Sequence, residues 1–137
     1  MSDPIRPGDA PALLREARSH LDRARGRLGA SPPAYVEALD AVLASVRASL
    51  LAHLTWYGAT PEADVPLDAL AERAVRCDSP LKTVVHRATH LADRAPGIRA
   101  AARPSVHDRE DVETGWRTAR NLAETVAGRI GQGSEAP

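Results

Sequence analysis

Arg99, Arg103 and His107 are the residues of this chain whose types and spacing suit a reaction. They fall within residues 96–108, between two strongly periodic helical segments, where a joint can hold a guanidinium and an imidazole over one point. An imidazole titrating near neutrality can take a proton from a nucleophile or return one to a leaving group, and a guanidinium can stabilise a phosphoryl transition state. Together the three suffice for metal-free RNA cleavage, with His107 as general acid/base and Arg99 or Arg103 as phosphate clamp. The same residues also suit a structural role. Arg99 and Arg103 can satisfy the last carbonyls of the fourth helix while His107 lies in the first turn of the fifth.

Three other groupings carry chemistry-bearing residues. His86 and His90 stand four apart with Asp93 three further on, an acceptable metal-ligand spacing on a helix. At about 100° per residue the trio centres nearly opposite the Leu81, Ala88, Ala92 stripe, so it is expected to face solvent or a partner, and no metal is expected. A metal-binding bundle enzyme through His86 and His90 stays the second alternative. Arg47 and His53 are six residues apart, which turns their side chains about 120° from each other on a helix and keeps them from one phosphate. Arg47 is expected to meet Asp40 or another helix, and His53 to be a partly exposed surface residue. Arg15, Arg18, Arg23, Arg25 and Arg27 make the clear basic patch, which reads as a solvated face or as an RNA contact.

Composition bounds what these residues can belong to. At 137 residues, with 43% hydrophobic and 26% charged, the chain can bury a core in a single domain. Its 18 basic and 18 acidic residues cancel, so no global field draws it onto a nucleic acid or an anionic membrane, and any such binding must be local. The single Cys77 excludes an internal disulfide and a cysteine-rich metal framework, which points to a reducing, cytoplasmic setting. No signal-peptide pattern opens the chain and no membrane span is expected.

The elements that must position the candidates are all helical in period. Leu14, Ala17, Leu21, Ala24 and Leu28 recur at three- and four-residue steps before Gly29. Ser31-Pro32-Pro33 opens a second helix of about 25 residues, with Val36, Leu39, Leu43, Val46, Leu50, Leu54 and Tyr57 on its apolar face. A short third helix carries Leu67, Leu70 and Ala74. Leu81, Val84, Val85, Ala88, Leu91, Ala92 and Ala95 mark a fourth, with a firm break expected at Pro96-Gly97. Ser105 or Asp108 caps the last helix, with Val112, Trp116, Ala119, Ala123, Val126 and Ile130 on one side. No stretch alternates like a strand. The reading is an all-α, up-and-down bundle of four long helices plus one short helix. It places a single domain at 9–131, with flexible tails at 1–8 and 132–137.

Leu13-Leu14-Arg15-Glu16-Ala17 with Leu21 and Ala24, then residues 38–54, then Pro66-Leu67-Asp68-Ala69-Leu70, are followed by residues 91–104 closing on Ala102-Arg103-Pro104. A final helix over 113–130 carries Ala119 and Ala123. This order resembles the HEPN family, small α-helical domains found in ribonuclease toxins and in partners of minimal nucleotidyltransferases. The likeness spans nearly the whole chain. The family's catalytic pattern is an arginine followed by histidine after four to six residues. Here Arg103 precedes Pro104 and has three residues before His107, while Arg99 has seven. With that motif degenerate, the resemblance implies a cytoplasmic HEPN-like homodimer acting as an interaction or nucleotide-binding subunit of a toxin–antitoxin or defence system. Its implied partners are a nucleotidyltransferase-type protein and RNA, with no cofactor and no membrane. The alternative is the metal-independent endoribonuclease described above.

Overall fold

The computed structural model describes residues 9–62 and 64–132. Five helices carry them: α1 (Ala10–Leu28), α2 (Tyr35–Trp56), α3 (Leu67–Cys77), α4 (Lys82–Ala100) and α5 (Val106–Gln132), with a 3-10 turn at Ser79–Leu81 before α4. No strand occurs among the described residues, and the all-α bundle expected from the periodicity is what forms. The tails expected at 1–8 and 132–137 lie outside the described residues except for Gln132, which belongs to α5 instead of the tail.

α2 is the centre of the bundle and touches each of the other four helices. Thirteen of its 22 residues are buried, from Ala38 and Leu39 to Leu54 and Thr55, and they cover most of its circumference, leaving one stripe through Val36, Asp40, Arg47 and Leu51 less buried. A helix apolar over most of its circumference belongs in a core, and α2 also has the length and hydropathy of a membrane span, with 72% of that window buried in the bundle. The single apolar face expected for it was too narrow. Val36, placed on that face, is 39% exposed, while Ser45, Ser49 and His53 are fully buried. α5, at 27 residues, is the longest helix rather than α2.

The end of α2 is set by Gly58, whose φ of 74° is the left-handed conformation that a side chain resists. Ala59 N–H donates to the Leu54 carbonyl at 2.9 Å and Gly58 N–H to Thr55 at 3.0 Å, the paired bonds of a Schellman terminus. α1 lays Leu14, Ala17, Leu21 and Ala24 against its neighbours, and α5 does so with Val112, Ala119, Leu122, Ala123 and Val126. Trp116 joins the two: its indole N–H donates to the Leu21 carbonyl at 2.9 Å, and the Arg25 and Arg120 guanidiniums lie 5.6 and 5.0 Å from its ring centroid.

The expected break at Pro96-Gly97 does not occur, and α4 continues through Pro96 to Ala100. An internal proline costs a helix about 3 kcal/mol, through a lost hydrogen bond and a clash one turn back. Packing offsets that cost here, because Ala95 and Ile98 flank the proline and both are buried. The helix ends at Ala101, which turns extended (φ −71°, ψ 132°) ahead of Pro104. α5 then starts on a capping box. Asp108 N–H donates to Ser105 Oγ at 3.1 Å, and Ser105 N–H donates to Asp108 Oδ2 at 2.9 Å. These bonds, the Ser105 N–H above all, hold the Asp108 carboxyl below the usual carboxylate range.

Candidate functional site

The joint at residues 96–108 is shorter than the sequence suggested, because Arg99 is carried on the last turn of α4. Its guanidinium pairs with Asp40 on α2 instead of the carbonyls at the helix end. Arg103 is exposed in the connection. His107 occupies the first turn of α5, 89% exposed at its side chain, with Nδ1 3.9 Å from Glu110. No hydrogen bond or ion pair in the structure links Arg99, Arg103 and His107. Within the joint the buried polar group is Asp108, which also receives Arg94 Nη2 at 3.3 Å.

His86, His90 and Asp93 are exposed on α4, on the side away from its buried stripe, as the helical angle requires. They do not stand alone there. α3 lies alongside, and between the two helices runs an open groove of about 650 Å³, within the size range of ligand and peptide sites. Its floor is apolar, with Leu67, Ala71 and Val75 from α3 and Ala92 from α4. Its walls carry Asp68 and Glu72 on one side, and His86, His90 and Asp93 on the other. The Arg76 guanidinium enters from α3 and pairs with Glu72. Among the described residues, no three His, Cys, Asp or Glu side chains are grouped closely enough to hold a metal ion. The groove therefore suits a ligand with an apolar ridge and positive flanks better than a bare ion.

A second cluster escaped the sequence reading. His53 was expected at the surface and is fully buried instead, its Nε2 3.5 Å from Asp78 Oδ2. Arg129 of α5 reaches the same Asp78 oxygen at 3.0 Å, and the Tyr57 ring lies 4.7 Å from the imidazole, centroid to centroid. Burial pushes the His53 imidazole below the ordinary histidine value against the pull of Asp78, so the ring is held neutral. Burial, with the Asp78 carboxylate beside it, pushes the Tyr57 phenol up. The cluster ties the ends of α2, α3 and α5 together. Its signal in the sequence was the sparseness of charge in α2, where Glu37, Asp40 and Arg47 mark one narrow outward stripe that His53 does not share. The exposed arginines of α1 are largely engaged locally: Arg27 with Glu37, Arg23 with His20 and Arg25 on Trp116.

Compared with known protein families, curated proteins and solved structures, the chain matches none.

Proposed function

We propose that the chain is an interaction subunit, a HEPN-like helical domain that holds a partner protein rather than cleaving RNA. The observation that carries this reading is the α3–α4 groove, which combines an apolar floor with a polar rim on a face the bundle leaves open. Asp68, Glu72 and Asp93 on the rim repel phosphate, so of the interaction and nucleotide-binding roles the groove supports the first. The HEPN likeness itself rests on the order of helices. A nucleotidyltransferase-type partner, a toxin–antitoxin or defence setting and a cytoplasmic location are part of the same proposal.

Incubation with a mixed RNA pool in EDTA, beside affinity capture from the native host, tests it. No cleavage dependent on His107 or Arg103 is expected, together with a partner protein that Ala71→Arg loses and His107→Ala keeps. Robust cleavage abolished by His107→Ala or Arg103→Ala would install the endoribonuclease in its place.

We also propose a homodimer, for which light scattering should give about twice the 14.6 kDa chain mass. Trp56 and Tyr57 at the end of α2 are half-buried and present aromatic surface to such a contact. A monomer at tens of micromolar removes the dimer and leaves the groove reading intact.

A further inference from the structure

We infer that the occupant of the α3–α4 groove is a cationic amphipathic helix of a partner protein, two to three turns of which lie along the apolar floor. This rests on the interaction reading above and specifies the chemistry of the partner. The lining extends from Leu67 to Arg76 on α3 and from His86 to Asp93 on α4. At 1.5 Å per residue that is a trough roughly 10–14 Å long, the length of about seven to nine helical residues. Leu67, Ala71 and Val75 repeat every four residues along one wall, the spacing that meets an apolar stripe of the i, i+3, i+4, i+7 kind. Ala71 and Ala92 are small, which lets a helix backbone approach closely.

Charge selects among occupants. Asp68, Glu72 and Asp93 stand on the rim against the single Arg76, and Arg76 is already paired with Glu72. An acidic helix or a nucleic acid would bring like charge to Asp68 and Asp93, while Lys or Arg flanking an apolar stripe would pair with them. A second copy of this chain does not fit. The apolar stripes of its helices are used in its own core, and the large hydrophobic residues it exposes among those described are Val36 and Val106, at the starts of two different helices.

Synthetic helical peptides with one apolar stripe and either Lys/Arg or Glu flanks, titrated into the isotopically labelled full chain, test this by amide shifts and fluorescence anisotropy. The cationic peptide is expected to shift α3 and α4 amides and to bind at least tenfold more tightly than its acidic twin. Its affinity should fall with added salt and drop about tenfold in Asp68→Asn/Asp93→Asn. Both substituted positions are exposed, and Ala71→Arg, with melting curves like wild type, should abolish binding. Equal binding of the two peptides, still blocked by Ala71→Arg, overturns the cationic occupant and leaves the interaction reading standing. Shifts that map outside α3 and α4, or no binding of either peptide up to about 1 mM, overturn the groove as the docking face as well.

Discussion

Asp78→Ala is expected to lower the unfolding free energy by about 2–3 kcal/mol, a fall in melting temperature of roughly 8 °C or more for a domain of this size. Asp78 is the shared carboxylate faced by side chains of two helices that meet it from different sides. Its side chain is 7% exposed, takes Arg129 Nε at 3.0 Å and faces His53 Nε2 at 3.5 Å. Removing it takes away the one carboxylate beside a fully buried imidazole whose ring nitrogens have no hydrogen-bond partner among the described residues, and leaves that polar ring in an apolar setting. Arg129 suffers less, because its side chain is 37% exposed and can turn to water. That keeps the loss below the range for a wholly buried pair. Chemical denaturation of wild type, Asp78→Ala, His53→Leu and the double variant measures the coupling, and additive losses would show that the contact is energetically idle.

The same cluster sets a pH dependence with a definite sign. The folded-state pKa of His53 lies below its unfolded value of 6.5, so the unfolded chain binds the extra proton first. The contribution of the neutral ring is fully present above pH 6.5 and is lost as the pH falls through that value toward the lower folded one. Wild type is therefore expected to lose stability as the pH falls below about 6.5, and His53→Leu to lose that part of the slope. An unchanged slope in His53→Leu would mean that another group carries it.

Gly115→Leu is expected to cost more than about 3 kcal/mol, against a gain of about 0.5–1 kcal/mol for Gly128→Ala further along the same helix. A Cβ built on Gly115 would stand 2.6 Å from Leu91 Cδ2 and 3.3 Å from Leu91 Cβ. Leu91 is 2% exposed and hemmed in by the core, so it has little room to yield. Gly115 is thus a point of close approach between α4 and α5, and a full side chain there forces them apart. Gly128 meets nothing within 4 Å and gains only helix propensity. Gly115→Ala in a Leu91→Ala background separates the clash from any other role: recovery relative to Leu91→Ala alone is expected, and a further loss would place the constraint elsewhere.

The sequence made α1, α3 and much of α5 readable because those helices are amphipathic, so Leu14 and Leu21, Leu70 and Ala74, or Ala119 and Val126 announce both the period and the buried side. α2 breaks that reading through its success as a core helix. Its outward stripe is narrow, marked by Glu37, Asp40 and Arg47, and His53 lies off it on a side that the bundle covers. Pro96 misled differently. A local breaking signal was outweighed by the burial of Ala95 and Ile98, a tertiary effect that nothing near the proline encodes. Ser105 and Asp108 were both legible as cap candidates, and the structure uses them as a reciprocal pair. The outward aim of His86, His90 and Asp93 followed from angle alone. That Asp68 and Glu72 stand across from them did not, because the pairing of α3 with α4 is a matter of packing between segments.

α3 is held far more lightly than the helix it leans on. It has two fully buried residues, Leu70 and Ala74, where α2 has thirteen buried, and its helical residues pack on α2 and α4 but on neither α1 nor α5, its tie to α5 being the Asp78–Arg129 pair just past its end. In a bundle, the element with the least buried apolar surface opens at the lowest free energy, well short of global unfolding. One wall of the groove is therefore also the softest piece of the fold, and the trough can widen by local breathing of α3 while the four long helices keep their packing. A partner seated there would close that motion, so occupancy would register as slowed amide exchange in α3 with the rest of the protein unchanged.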